Sequence, residues 1–194
     1  MLDRIIKVLE EEKIDTYLLS QRVTERAELY YIKRNLDVRR LVNTKTAELT
    51  LYADAEKNGK PMRGFSSVVL SPEMDEERIR KEIREAKHSA SFALNPFFHL
   101  VKGSHAEKIV KENGLSKMSL TEMADAFSQA VFQADRRSDA FLNSLEVFCS
   151  KEEVTIKNSE GVDVSYERST VDGEFVVQCK EPLDLLPTNS SSSV

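Results

Sequence analysis

Two cysteines and three histidines in 194 residues leave little material for metal, thiol or triad chemistry. Cys149 and Cys179 lie far apart and make no CxxC pair, so neither a disulfide framework nor a dithiol centre is expected. Each sits in an apolar alternating run, where a buried thiol behaves as a small hydrophobe. His88, His99 and His105 form no HExxH, the pattern that places two ring nitrogens one helical turn apart with a glutamate between them. Ser104 and His105 are adjacent, which points their side chains apart rather than into a nucleophile–base contact. P-loop, GxGxxG and GxSxG patterns are missing too. No apolar run approaches the roughly 20 residues that cross a bilayer as a helix. Met1-Leu2-Asp3-Arg4 runs straight into a charged segment, so a cytoplasmic chain without a membrane partner is expected.

Positive charge is also in deficit, with a formal net charge of -5. The best basic run, Lys33, Arg34, Arg39 and Arg40, is short and interrupted. It reads as a solvated strand edge, and nucleic acid is not expected as a partner.

What is present is a globular composition, 40% hydrophobic and 31% charged, with length for one large or two small domains. Leu2, Ile5, Ile6 and Leu9 share one helix face, with Glu10 to Glu12 left in water. From Thr16 to Leu70 the period falls to two, most plainly where Ala47, Leu49, Leu51 and Ala53 alternate with Glu48, Thr50 and Tyr52. Tyr17 to Leu19, Leu29 to Ile32 and Phe65 to Leu70 are further strands, and Asn58-Gly59 supplies a turn. Ser71-Pro72 predicts a helix start, with Glu73, Asp75, Glu76 and Glu77 at the positive end of its dipole and Ile79, Ile83, Ala86 and Ala90 inside. Asn95-Pro96, Gly103 and Gly114 mark a connection around a short helical pattern at His105 to Glu112.

Ser119-Leu120-Thr121-Glu122 has capping-box spacing, and Met123, Phe127, Ala130, Val131 and Ala134 follow on one face. Four strands are expected next: Leu145 to Cys149, Val154 to Ile156, Val162 to Tyr166 and Phe175 to Val177. Turns are placed at Asn158 to Gly161 and Asp172-Gly173. The serine-rich end has no periodicity. The expected class is α+β: two successive helix-plus-antiparallel-sheet units, the sheets mixed or antiparallel, with helices packed on one face. The first unit covers residues 1–100, a connection 101–118, the second unit 119–182 and a loose tail 183–194.

Candidate chemistry is thin. The acids at 73 to 77 suit a helix start better than a metal. Glu146 and Glu167 could oppose each other across a sheet, though an exposed polar face is the preferred explanation. Tyr30, Tyr31, Tyr52 and Phe65 could form an aromatic platform or simply half-buried strand packing. No catalytic, cofactor-binding or metal-ligating residue is assigned.

The order of segments resembles the opening of the TldD/PmbA family. Ala27-Glu28-Leu29-Tyr30-Tyr31, Asp37 to Asn43, Glu48 to Tyr52, and Arg63-Gly64-Phe65-Ser66-Ser67 ahead of Leu70-Ser71-Pro72 carry the first half of the likeness. Asn158-Ser159-Glu160-Gly161 and Ser165-Tyr166-Glu167-Arg168-Ser169 carry the second. Together they cover about residues 1 to 182, with Asn43-Thr44-Lys45 departing from the Asn-Gly turn common in relatives. That family, long labelled modulators of DNA gyrase, is regarded as zinc metallopeptidases whose ligands lie in a later domain on a His-Glu-x-x-x-His helix. Nothing here matches that motif, so zinc is a cofactor of the full-length family and not one expected in this chain. The resemblance implies a non-catalytic N-terminal part of such a peptidase, with an unfolded peptide segment and a family member as partners in a homo- or heterodimer. It fades near Pro182-Leu183-Asp184, as in a truncated member or an excised N-terminal domain. A stand-alone interaction module, such as an inactive partner subunit or a gyrase modulator, is the alternative.

Overall fold

The computed structural model describes residues 1–103, the backbone of 109–110, and 114–179. The elements run α1 (Leu2–Glu11), β1 (Tyr17–Ile32), β2 (Asn35–Lys57), β3 (Lys60–Leu70), α2 (Glu76–Ala90), β4 (Leu94–Pro96), β5 (Ile109–Val110), α3 (Leu120–Ala134), β6 (Ala140–Asn158) and β7 (Asp163–Cys179). The strands form a sheet in the order β4-β3-β2-β1-β6-β7-β5. β2 pairs antiparallel with β3 and β3 with β4, whereas β5 lies parallel to β7. The fold is thus α+β, with helices against a mixed sheet, as the alternating periods predict. No helix among the described residues is long and apolar enough to cross a membrane.

The chain divides into two compact units. One holds Met1–Glu25, the described part of Val42–Lys117, and Ser150–Ser169; the other holds Arg26–Leu41, Met118–Cys149 and the described part of Thr170–Val194. β1, β2, β6 and β7 each give a stretch to both.

In the first unit the expected inner faces meet. Ile5, Val8 and Leu9 of α1, Leu19 of β1, Leu49 and Leu51 of β2, and Ile79 and Ile83 of α2 share one buried core. Each such side chain contributes about 1.5–3 kcal/mol on burial. Asn58 and Gly59 take φ of 53° and 70° between paired Lys57 and Lys60, the left-handed pair that a two-residue hairpin needs. Two expectations need correction. α2 starts at Glu76, not at Ser71-Pro72, because Asp75 caps it by accepting from the Arg78 amide at 2.8 Å. Glu12 does not stay in water: it is half-buried and accepts from Arg80 and Arg84 at 2.8 and 2.7 Å, tying the end of α1 to α2.

In the second unit the capping box is present, with Ser119 Oγ accepting from the Glu122 amide and Glu122 accepting from the Ser119 amide. Instead of four short strands after residue 140 there are two long ones. Asp172-Gly173 is not a turn but lies inside β7. Gly173 is needed there for closeness: a Cβ would sit 2.4 Å from Cε1 of Phe127 on α3. Within the expected helical pattern at 105 to 112, Ile109–Val110 form a strand instead. The rest of that pattern, Ser104-His105, and the tail at 183–194 lie outside the described residues.

Candidate functional site

The stretch 154 to 169, dense in polar groups, is a built junction of the first unit. Asn158 is buried. Its Oδ1 accepts from the amides of Glu160 and Val162, each at 2.9 Å, and its Nδ2 donates to the Val101 carbonyl at 2.8 Å. Gly161 holds φ +88°, and a Cβ on Gly103 would fall 2.1 Å from the Gly161 carbonyl. Only glycine allows two backbones to approach so closely. Ser159 exchanges hydrogen bonds with the Tyr17 backbone at 3.1 and 3.2 Å. Further along, buried Glu152 accepts from Arg168 at 2.5 Å and faces Arg22 at 3.8 Å. Val162, Val164 and Tyr166 are half-buried, as is Ser165, while Glu167 and Arg168 are exposed. Every polar group traced here is spent on holding the strands.

Arg63 is likewise occupied. It is buried, donates twice to Asp54 at 2.6 and 2.8 Å and once to the Phe98 carbonyl at 2.9 Å, and lies 4.4 Å from the Phe97 ring centroid. The Arg63 hydrogen bond holds the Asp54 carboxyl below its ordinary value. The paired charge pins the segment after β4 to β3.

The expected aromatic platform splits in two. Tyr52 meets Phe65 and Phe98 in the first unit, and Tyr30 and Tyr31 stack edge-on against Phe148 and Phe132 in the second. Glu146 and Glu167 also fall in different units. The basic run is engaged: Lys33 lies over Phe141, Arg34 bonds Asp135, Arg39 bonds Thr121, and Arg40 bonds buried Glu28 at 2.6 Å. Lys33, with φ 57°, occupies the turn between β1 and β2 rather than a strand edge.

Metal-ligand chemistry finds no foothold in the described residues. His88 and His99 are exposed, each edge-on to a phenylalanine, and no group of three or more His, Cys, Asp or Glu is placed to hold an ion. The described donors therefore do not fit a zinc site. Cys149 is buried, and burial first, then the charge of Asp172, pushes its thiol up to about 11. Cys179, by contrast with expectation, is exposed.

The most apolar of the open pockets is in the second unit: a groove of about 320 Å³ between α3 and the strands. Phe127, Ala130, Val131 and Ala134 line it from the helix, Leu142 from β6, and Phe175 and Val177 from β7. The sequence places Met123, Phe127, Ala130, Val131 and Ala134 on one face of α3. Met123 is indeed buried, but Ala124 and Ser128 take the other inner places, leaving Ala130 and Ala134 exposed. Phe175, Val176 and Val177 are 58%, 54% and 53% exposed, so β7 is apolar on both faces. Among the described residues β5 pairs with β7 at Tyr166 and Glu167. Among the described residues no strand covers the edge of β7 from Val171 to Cys179. Sequence reading missed this site, although three consecutive apolar residues in one strand break the alternation of a half-buried one.

Neither a family model nor a curated protein matches the sequence. Solved structures do. TldE from Thermococcus kodakarensis superposes with a TM-score of 0.63 at 14% identity, over 93% of this chain and 40% of that one. A proposed modulator of DNA gyrase from Thermotoga maritima gives 0.58 at 14%, over 95% and 44%. One from Bacteroides thetaiotaomicron gives 0.54 at 12%, over 91% and 39%. The chain thus spans about two-fifths of the length of these proteins. At such identities the likeness establishes a fold, the one this chain has in common with TldD/PmbA-type proteins.

Proposed function

We propose that the chain acts as the non-catalytic N-terminal part of a TldD/PmbA-type metallopeptidase, contributing to the dimer and to the space through which peptides reach a zinc centre supplied elsewhere. The observation that carries this reading is an edge of β7 that no described strand covers, beside an apolar groove. An extended segment can add to such an edge through backbone hydrogen bonds, which give affinity with little sequence preference, while side chains settle in the groove. Among the described residues no group of three or more His, Cys, Asp or Glu is placed to hold a metal, and in this reading the site holds a chain without cutting it. The fold shared with TldE and the gyrase-modulator proteins supports the family, and the cytoplasm is the compartment proposed with it.

The experiment is an assay of the purified 194-residue chain with an unfolded casein substrate and added zinc. Binding without hydrolysis, and without zinc retained at stoichiometry after dialysis, is the expected result. Inhibitor-sensitive peptidase activity proportional to the chain's concentration contradicts it.

A further inference from the structure

Resting on that reading, we propose that the groove of the second unit selects among peptides: it favours an extended segment with bulky apolar side chains at alternate positions followed by an acidic side chain that meets Arg136. The apolar part follows from register. Phe175 and Val177 project from β7 on the face that lines the groove, and a strand added alongside would place every second side chain on that same face. Ala130 and Ala134, the small members of a helix wall that also carries Phe127 and Val131, leave room opposite.

The acidic preference follows from the charges at the rim. Asp135 accepts from Arg34 at 3.2 Å and from the Leu142 amide at 3.2 Å. Arg137 is paired with Asp139. Arg136 lines the groove as well, but its Nε donates to the Gln133 carbonyl at 2.5 Å and it has no carboxylate partner among the described residues. Among these, the rim's remaining charge is therefore positive. A carboxylate carried just beyond the apolar pair would meet this charge, and a lysine there would meet like charge. The partner is an extended segment of an unfolded protein, which supplies its carboxylate from a side chain.

The test uses fluorescein-labelled nine-residue peptides, amidated at the C-terminus so that only the side chain supplies a carboxylate. Each has two leucines at alternate positions, threonine elsewhere, and either aspartate or lysine two residues on. Binding to the full chain is read by anisotropy, with circular dichroism to verify folding of two variants at exposed positions, Arg136→Glu and Ala134→Arg. The aspartate peptide should bind about fivefold tighter than the lysine peptide, the scale of one exposed ion pair. Arg136→Glu should reverse that order. Ala134→Arg should weaken both by about tenfold or more, the scale of one excluded leucine. Peptides that bind alike, untouched by either variant, overturn the selectivity and leave strand addition standing. Failure of both to bind the wild-type chain overturns the two together.

Discussion

Replacing Asn158 by alanine removes three hydrogen bonds at one buried position: two accepted from the Glu160 and Val162 amides and one donated to the Val101 carbonyl. Each orphaned backbone group costs about 1 kcal/mol when water reaches it only partly, so the loss is about 3 kcal/mol. For a chain of this length that corresponds to a fall in Tm of roughly 6–12 °C. Asn158→Asp makes a sharper comparison. It keeps an acceptor for the two amides but turns a donor into an acceptor facing the Val101 carbonyl, and should fall between wild type and alanine. Urea unfolding followed by far-ultraviolet dichroism measures both. A loss below about 0.5 kcal/mol for Asn158→Ala, the range of an ordinary surface change, refutes the view that this turn is a structural junction. Retained stability with lost peptide binding would instead make it part of a site.

Three other outcomes follow from the same packing. Gly103→Ala drives a methyl into the Gly161 peptide, where backbone cannot yield cheaply, and should cost more than about 2 kcal/mol, while Gly114→Ala, with open space around it, should stay within about 0.5 kcal/mol; paired urea titrations decide. The hydrogen bonds from Arg84 and then Arg80 hold the Glu12 carboxyl down at about 2, against an ordinary 4.5. Its stabilising contribution is thus complete above about pH 4.5 and is lost as pH falls toward 2, so Glu12→Gln should lower the urea midpoint at pH 7 and flatten its decline between pH 5 and 2.5. With Cys149 buried and Cys179 exposed, one thiol per native chain should react with a disulfide reagent at pH 8, and the second only in denaturant.

The first unit was legible because its signals are local. One helical stripe in α1, the alternation from Ala47 to Leu51, and Asn58-Gly59 each specify their own conformation. The length of the strands was not. Tyr17 to Leu19 and Leu29 to Ile32 read as separate strands, yet Glu28 and Arg40 satisfy each other on β1 and β2, and one strand runs through both stretches. Gly173 looked like a turn because glycine permits one, whereas here it makes room for the Phe127 ring. Glu12 looked solvated because its partners, Arg80 and Arg84, are distant in sequence. The groove was hidden for a related reason. An apolar stripe on α3 has the same spacing whether it meets a core or faces an opening, and only the position of Phe175 and Val177 separates the two.

Amide hydrogen exchange of β7 bears most directly on the claim that this chain captures peptides by strand addition. On saturation with an unfolded polypeptide, alternate amides between Val171 and Cys179, those on the edge that no described strand covers, should slow while the peptide stays intact. Protection confined to other strands, or cleavage of the peptide by the chain alone, would contradict it.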